Sequence, residues 1–237
     1  MKNKIFRKII NFLLEYPCPL CGCDNTGNHD CNSFCTDCLK KLPLLHGQRC
    51  RGCGGELDGA LEMCRQCLSM PRRPWQNAMS IMQMEDAGKD AIYQLKFAGN
   101  TAMARAMAEL GAPLLADKDF TECDMIVPVP LHWTRLWQRS YNQSELLAKM
   151  LAKHLDIPVK KPLKRIRPTT RQATLSRKER LKNLHKAFAV PHPEKVKDCK
   201  ILLVDDVLTT GSTLHACAET LLQAGAAKIV IFTVARR

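Results

Sequence analysis

The stretch Lys200–Leu214, KILLVDDVLTTGSTL, limits what this chain can fold into more than any other part of it. Ile201–Val204 is continuously apolar and branched rather than alternating, the pattern of a strand buried on both faces of a parallel sheet. Asp205 and Asp206 stand at its C-terminal end, where open α/β sheets bind their ligands. Thr209–Thr213 follows as TTGST, and Leu214, Ala218, Leu221 and Leu222 then recur at helical period. A strand, a small-residue loop and a helix in that order aim backbone N–H groups and the positive end of a helix at one point.

That point suits a phosphate. Gly211 permits close approach or a positive φ. Thr209, Thr210, Ser212 and Thr213 add hydroxyl donors to an anion-binding concavity that needs no lysine. The paired acids cannot hold the same phosphate, so they face sugar hydroxyls or a hydrated Mg²⁺. A ligand with a phosphate at one end and a diol in the middle is a ribose 5-phosphate.

At these residues the chain resembles the type I phosphoribosyltransferases, whose signature is four apolar residues, two acids and a TTGST-like loop. The resemblance implies that Val204, Asp205, Asp206, Val207, Leu208, Thr209, Thr210, Gly211, Ser212 and Thr213 bind phosphoribosyl pyrophosphate. It gives Asp205 and Asp206 the ribose 2′ and 3′ hydroxyls and the catalytic role, and Thr209–Thr213 the 5′-phosphate.

The N-terminal part of the chain carries different chemistry. Eight cysteines form four CxxC pairs: Cys18/Cys21, Cys35/Cys38, Cys50/Cys53 and Cys64/Cys67. Two CxxC turns complete one tetrahedral Cys₄ zinc site, so two structural zinc ions are expected. Gly22, Gly52 and Gly54 suit tight turns around the metal. Consecutive pairing makes each ribbon a self-contained hairpin and is preferred, although an interleaved pairing has the same spacing. Cys23, Cys31, His29 and His46 are spare donors nearby. So short a module buries little apolar area and folds by binding metal.

Charge is unevenly distributed. The chain carries a formal +13, and Lys160–Lys186 holds eleven basic residues against the single acid Glu179. Such a segment attracts polyanions: pyrophosphate, a nucleotide or a nucleic-acid backbone. No aromatic falls within it, so it lacks the stacking surface of single-strand binders. Residues 1–16 read as an amphipathic helix packing on the next module, or less readily touching a membrane surface, and no signal peptide is expected because Arg7 and Lys8 interrupt the apolar run. No apolar run reaches the ~20 residues of a membrane span, and a cytoplasmic protein is expected.

Between these regions, Met70–Pro74 reads as a stiff linker. Ala78–Met84 is expected to be a strand, and Ala91–Leu110 to be helical with a break at Gly99. Met125–Val129 is a second apolar strand, ended by Pro128 and Pro130. Lys96 is either a solvated lysine or a phosphate contact. Arg135 and Arg139 are either an anion clamp or solvated helix charges.

PVPLHWTRLWQRSYNQSELLA, LKFAGN, RQATLSRKERLKNLHKAF and the double CxxC module together resemble the ComF/GntX family, over Cys18 to Val234. The fold implied is a type I phosphoribosyltransferase fold, a central mostly parallel sheet flanked by helices, behind an N-terminal double zinc ribbon. The implied division is a helix over 1–16, the ribbons over 17–70 and the phosphoribosyltransferase-like domain over 75–237. Phosphoribosyl pyrophosphate with Mg²⁺ is the implied ligand. DNA uptake or use of external DNA is the implied setting, with single-stranded DNA and a helicase-like protein as partners. The resemblance also assigns Lys96, Pro128, Val129, Pro130, Arg135, Arg139, Arg171 and Arg180 to pyrophosphate or to a hood over the ligand. Where the family commonly has RGFNQ, this chain has Arg139-Ser-Tyr-Asn-Gln143, with Ser140 in place of a glycine.

Overall fold

The computed structural model describes residues 17–24, 33–57, 59, 61–97, 100–131, 136–137, 139–167 and 186–237. The helix expected over 1–16, Gly99, Arg135, Arg171, Arg180 and most of the basic segment lie outside the described residues.

Within them, α1 (Thr36–Lys41) and α2 (Arg65–Leu68) each start directly after a cluster cysteine, Cys35 and Cys64. The larger part then runs β1 (Asn77–Gln83), α3 (Asp86–Phe97), α4 (Thr101–Gly111), α5 (Lys118–Thr121), β2 (Met125–Pro128), α6 (Gln143–Leu155), β3 (Lys164–Arg165), β4 (Phe188–Ala189), β5 (Lys200–Leu208), α7 (Ser212–Gln223) and β6 (Lys228–Arg236).

β1, β6, β5 and β2 form a four-stranded sheet in that order, with every neighbouring pair parallel. A parallel bridge from Ile126 to Val159 extends it beyond β2. The antiparallel pair β3–β4 brackets the sequence segment 168–185. Parallel strands need covering on both faces, and side chains alternate between the faces. Accordingly, Leu202 and Val204 of β5 with Val230 and Phe232 of β6 enter the core shared with α3, α4 and α6. Ile201 and Leu203 with Ile229 and Ile231 enter the opposite core, which α7 closes through Leu214, Ala218 and Leu221. All of these are at most 1 % exposed, so each aliphatic contributes about 1.5–3 kcal/mol of apolar burial.

Several expected boundaries move. β5 runs on through both acids to Leu208, because Asp205, Val207 and Leu208 keep pairing with Thr233, Ala235 and Arg236 of β6. β1 starts one residue before Ala78 and ends at Gln83. α3 begins at Asp86 rather than Ala91, since its first turn is mostly polar and shows no apolar period. The expected interruption holds: a new helix starts at Thr101, with the Asn100 side chain accepting from the Met103 N–H at 3.0 Å.

The cysteine module packs against the edge of this sheet. Leu45 N–H donates to Ile81 O and Gln83 N–H to Pro43 O, each at 2.9 Å, so residues 43–45 cover the free edge of β1. Trp75 Nε1 donates to Gly52 O at 3.1 Å, and Ser80 Oγ to Cys53 O at 3.3 Å. Phe34, Cys18 and Cys38 belong to the same core as Met82 and Leu95.

Candidate functional site

The loop after β5 has the geometry that its composition predicts. Gly211 adopts φ 75°, a left-handed conformation open to glycine at little cost, and no side chain caps the first turn of α7. The Ser212 N–H reaches Thr210 Oγ1 at 3.4 Å, and the Thr213 and Leu214 amides, which have no intrahelical acceptor, are available to an anion. Thr210 Oγ1 and Ser212 Oγ share a hydrogen bond at 2.8 Å, which fixes two hydroxyls at the loop's mouth.

An unanticipated residue supports the loop from outside. Arg73 Nη1 donates to Thr210 O at 3.0 Å, and its guanidinium stacks on Trp75 at 5.0 Å. A Cβ at Gly211 would collide with that guanidinium. Met70–Pro74 is therefore no free spacer: its Arg73 is bound to the loop after β5.

Asp205 and Asp206 are 8 % and 6 % exposed. Ser144 Oγ donates to Asp205 Oδ1 at 2.8 Å, and the Asp206 N–H to the same oxygen at 2.9 Å. Gln143 Nε2 donates to Asp206 Oδ2 at 3.2 Å, and Lys96 Nζ pairs with that oxygen at 3.1 Å. Burial, and then the charge of Asp206, pushes the Asp205 carboxyl up to about 7. Two adjacent carboxylates with one cationic partner retain excess negative charge, and that donor set fits a sugar diol or a hydrated divalent cation.

Lys96 is thus neither solvated nor isolated, because the end of α3 brings it onto Asp206. Gln143 and Ser144 are held by the segment that enters α6. The Asn142 side chain accepts from Ser144 N–H at 3.0 Å and donates to Val129 O at 3.0 Å, which ties α6 to the end of β2. Tyr141 donates its hydroxyl to Leu95 O at 2.6 Å, which ties the same segment to α3. Ser140 stands at φ 62°, where glycine is favoured, so the backbone shape survives the replacement. Arg139 lies over the Phe97 ring at 4.9 Å, and Val129, whose N–H donates to Val204 O, is buried at the end of β2 between Pro128 and Pro130.

The cysteines gather as two groups, Cys18/Cys21/Cys35/Cys38 and Cys50/Cys53/Cys64/Cys67, with each group's sulfurs within 4.8 Å of one another. This is consecutive pairing. The Cys21–Cys35 and Cys53–Cys64 sulfurs are 3.7 and 3.9 Å apart. A tetrahedron with Zn–S bonds of ~2.3 Å has an edge of about 3.8 Å. Backbone amides of Cys38 and Cys64 point at the sulfurs of Cys35 and Cys50, at 3.4 and 3.2 Å. Hydrogen bonds from Cys53 and then Cys67 hold the Cys50 thiol far below its ordinary value, which favours the thiolate a metal needs. Both groups fit zinc. The spare Cys23 sulfur lies 3.2 Å from Cys21 but outside the four-sulfur group.

The phosphoribosyl transferase domain family matches residues 142–237, the stretch from the cap of α6 to the end of β6. Competence protein F of Haemophilus influenzae is 32% identical over 211 residues, covering 86% of this chain and 91% of that protein. The chain belongs to the ComF family. Two other ComF relatives are similarly distant. The DNA utilization protein YhgH of Escherichia coli K12 is 34% identical over 192 residues, covering 79% of this chain and 83% of its own. Competence protein ComFC of Bacillus subtilis is 30% identical over 212 residues, covering 85% and 83%. A solved structure of glutamine phosphoribosylpyrophosphate amidotransferase from B. subtilis aligns with 55% of this chain and 26% of its own, at 22% identity and a TM-score of 0.38. This ComF chain has the phosphoribosyltransferase fold, with two Cys₄ groups that fit zinc ribbons. Among the described residues, no helix is long and apolar enough to cross a membrane.

Proposed function

We propose that this ComF protein binds phosphoribosyl pyrophosphate in the cleft above β5 and acts in the uptake or use of external DNA. The observation that carries the ligand is the pair of buried acids beside an uncapped TTGST loop, oriented by Ser144, Gln143 and Lys96. The setting comes from relatives named for competence and DNA utilization.

Each site group has a task in this reading. Asp205 and Asp206 accept from the ribose 2′ and 3′ hydroxyls and fix the ring. The amides and hydroxyls of Thr209–Thr213 hold the 5′-phosphate. Lys96 stands at the acids' edge, from where its ammonium reaches the pyrophosphate. Mg²⁺, when bound, supplies neutralising charge to that group. If the protein is a catalyst, an acceptor forms a bond to ribose C1 as the C1–O bond breaks and pyrophosphate leaves with the electron pair. The protein's part is then orientation of the ring and electrostatic support of the leaving group.

Calorimetry with phosphoribosyl pyrophosphate and Mg²⁺ tests the binding. One site is expected, and Asp205→Asn with Asp206→Asn should weaken it about a hundredfold or more, at ~1.5–3 kcal/mol per charged contact. An unchanged affinity in the double variant would sink the assignment. Pyrophosphate release across a panel of bases, nucleosides and amines separates a transferase from a binding protein.

A second reading, single-strand binding, is favoured by exposed aromatic side chains. Tyr93 and Phe97 are 63% and 57% exposed with rings 5.0 Å apart, Trp137 is 84% exposed, and Arg139 lies on Phe97. Bases stack on aromatic and guanidinium planes, the feature missing from Lys160–Lys186. On this reading Trp137→Ala costs ~1–3 kcal/mol of single-strand affinity and leaves the salt dependence unchanged.

A further inference from the structure

A cleft of about 430 Å³ opens between the second cysteine group and the outer side of the phosphate loop. One wall is Gln66, Cys67 and Met70, and the opposite wall is Leu208, Thr209 and Thr210. Arg73, Arg236 and Arg237 converge on it from the linker and from the end of β6. None of the Asp205, Asp206, Lys96, Gln143 or Ser144 side chains lines it; it adjoins the ribose-phosphate site and shares Thr209 and Thr210 of the loop with it.

We propose that this cleft is a second anion site, which takes a nucleotide-sized organic phosphate. Three guanidiniums face one space, and none of them is paired with an Asp or Glu side chain among the described residues. Like charges brought together at a protein surface repel one another unless an anion or a neighbouring negative group offsets them. The zinc-loaded Cys₄ group beside them carries about −2 spread over four sulfurs turned toward the metal, and its Cys53 also lines the cleft. Donors also remain unspent. Arg73 uses Nη1 on Thr210 O and Nη2 on the weak acceptor Met70 Sδ, while Arg236 uses Nη2 on Arg237 O. The Nε of both is buried without a partner.

Guanidinium forks match the oxygens of phosphate, to which they donate in pairs. The volume falls in the ~300–1,000 Å³ range of small-molecule sites and would leave a bare phosphate loose. Met70 offers an apolar surface to the remainder of the ligand, and Gln66 offers hydrogen bonds. Phosphate, polar sugar and flat apolar ring describe a nucleotide.

The test is calorimetry with ADP on the whole zinc-loaded chain of this sequence. ADP is expected to bind wild type and the Asp205→Asn/Asp206→Asn variant alike, since those acids do not face the cleft. Arg236→Gln should weaken ADP about tenfold or more, as the loss of one charge-assisted contact does. Arg237→Gln, an exposed residue, should weaken it in the same direction while zinc stays at two per chain and the melting temperature holds. The proposal is overturned if wild type does not bind ADP. It is also overturned if the double aspartate variant abolishes binding while both arginine variants leave it intact, because ADP would then occupy the ribose-phosphate site. Neither result depends on whether phosphoribosyl pyrophosphate binds, which the double aspartate variant reports separately.

Discussion

At the scale of single residues, Asp205 links pH to both stability and ligand. Its ordinary value of 3.8 is raised to about 7 by burial and by Asp206. Between those values the folded chain holds a proton that the unfolded chain has released, so stability falls as pH rises through the interval. Asp205→Asn removes the buried charge. It should raise the melting temperature of the ligand-free protein at pH 8 and change it little at pH 5, measured by calorimetric scanning. The proposed ligand responds in the opposite sense, because Asp205 accepts a ribose hydroxyl best when ionised. Affinity for phosphoribosyl pyrophosphate should rise about tenfold from pH 6 to pH 8, following the ionised fraction of a group near 7, and this slope should vanish in Asp205→Asn. Ser140 is a simpler case. Its φ of 62° is costly for any residue with a Cβ, so Ser140→Gly should stabilise the fold by about 0.5–1 kcal/mol in urea denaturation.

At the scale of elements, β5 and its loop were the most legible part of the chain. Burial on both faces makes a central parallel strand continuously apolar, so Ile201–Val204 shows its position without reference to any other segment. The CxxC turns were legible for a similar reason, since both ligands of each turn lie within four residues. What stayed hidden are contacts between elements distant in sequence. Lys96 meets Asp206 only because α3 and β5 are brought together, and nothing local to LKFAGN marks that pairing. Ser144 is an ordinary small residue in the first turn of α6 until the sheet places Asp205 against it. Arg73 looked like part of a linker because proline and arginine flank it, yet it buttresses Thr210. The loop's conformation thus has two causes, its own glycine and the arginine behind it, and Gly211→Ala strikes both. The substitution forces an alanine into φ 75° and displaces Arg73. It should cost at least ~1 kcal/mol in denaturant and weaken phosphoribosyl pyrophosphate while leaving zinc content unchanged.

At the scale of the whole molecule, the zinc ribbons are structurally continuous with the sheet. The second group touches the ligand end of the fold through one chain of contacts: Gly52 to Trp75, Trp75 to Arg73, and Arg73 to Thr210. Gly52 is also where the metal site has no room, since a Cβ there would lie 2.8 Å from Cys67 Sγ. Gly52→Ala should therefore expel the second zinc and lower zinc content from two to one per chain by elemental analysis. Structural zinc contributes ~10–16 kcal/mol to isolated small modules. Here Trp75, Ser80 and the residues covering β1 hold the ribbon in place as well, so the loss should be smaller. Even about 4 kcal/mol would lower the melting temperature by about 10 °C for a chain of this size. The informative measurement is ligand affinity at a temperature where the variant is still folded. None of the four cysteines lies among the groups holding Asp205 or Asp206, so an isolated ribbon would leave phosphoribosyl pyrophosphate binding untouched. If zinc holds Gly52 under Trp75 and so fixes Arg73 behind the loop, affinity should drop in Gly52→Ala and drop no further when Arg73→Gln is added. Additive losses from the two substitutions would show that ribbon and loop act independently, and would break the chain of contacts at Trp75.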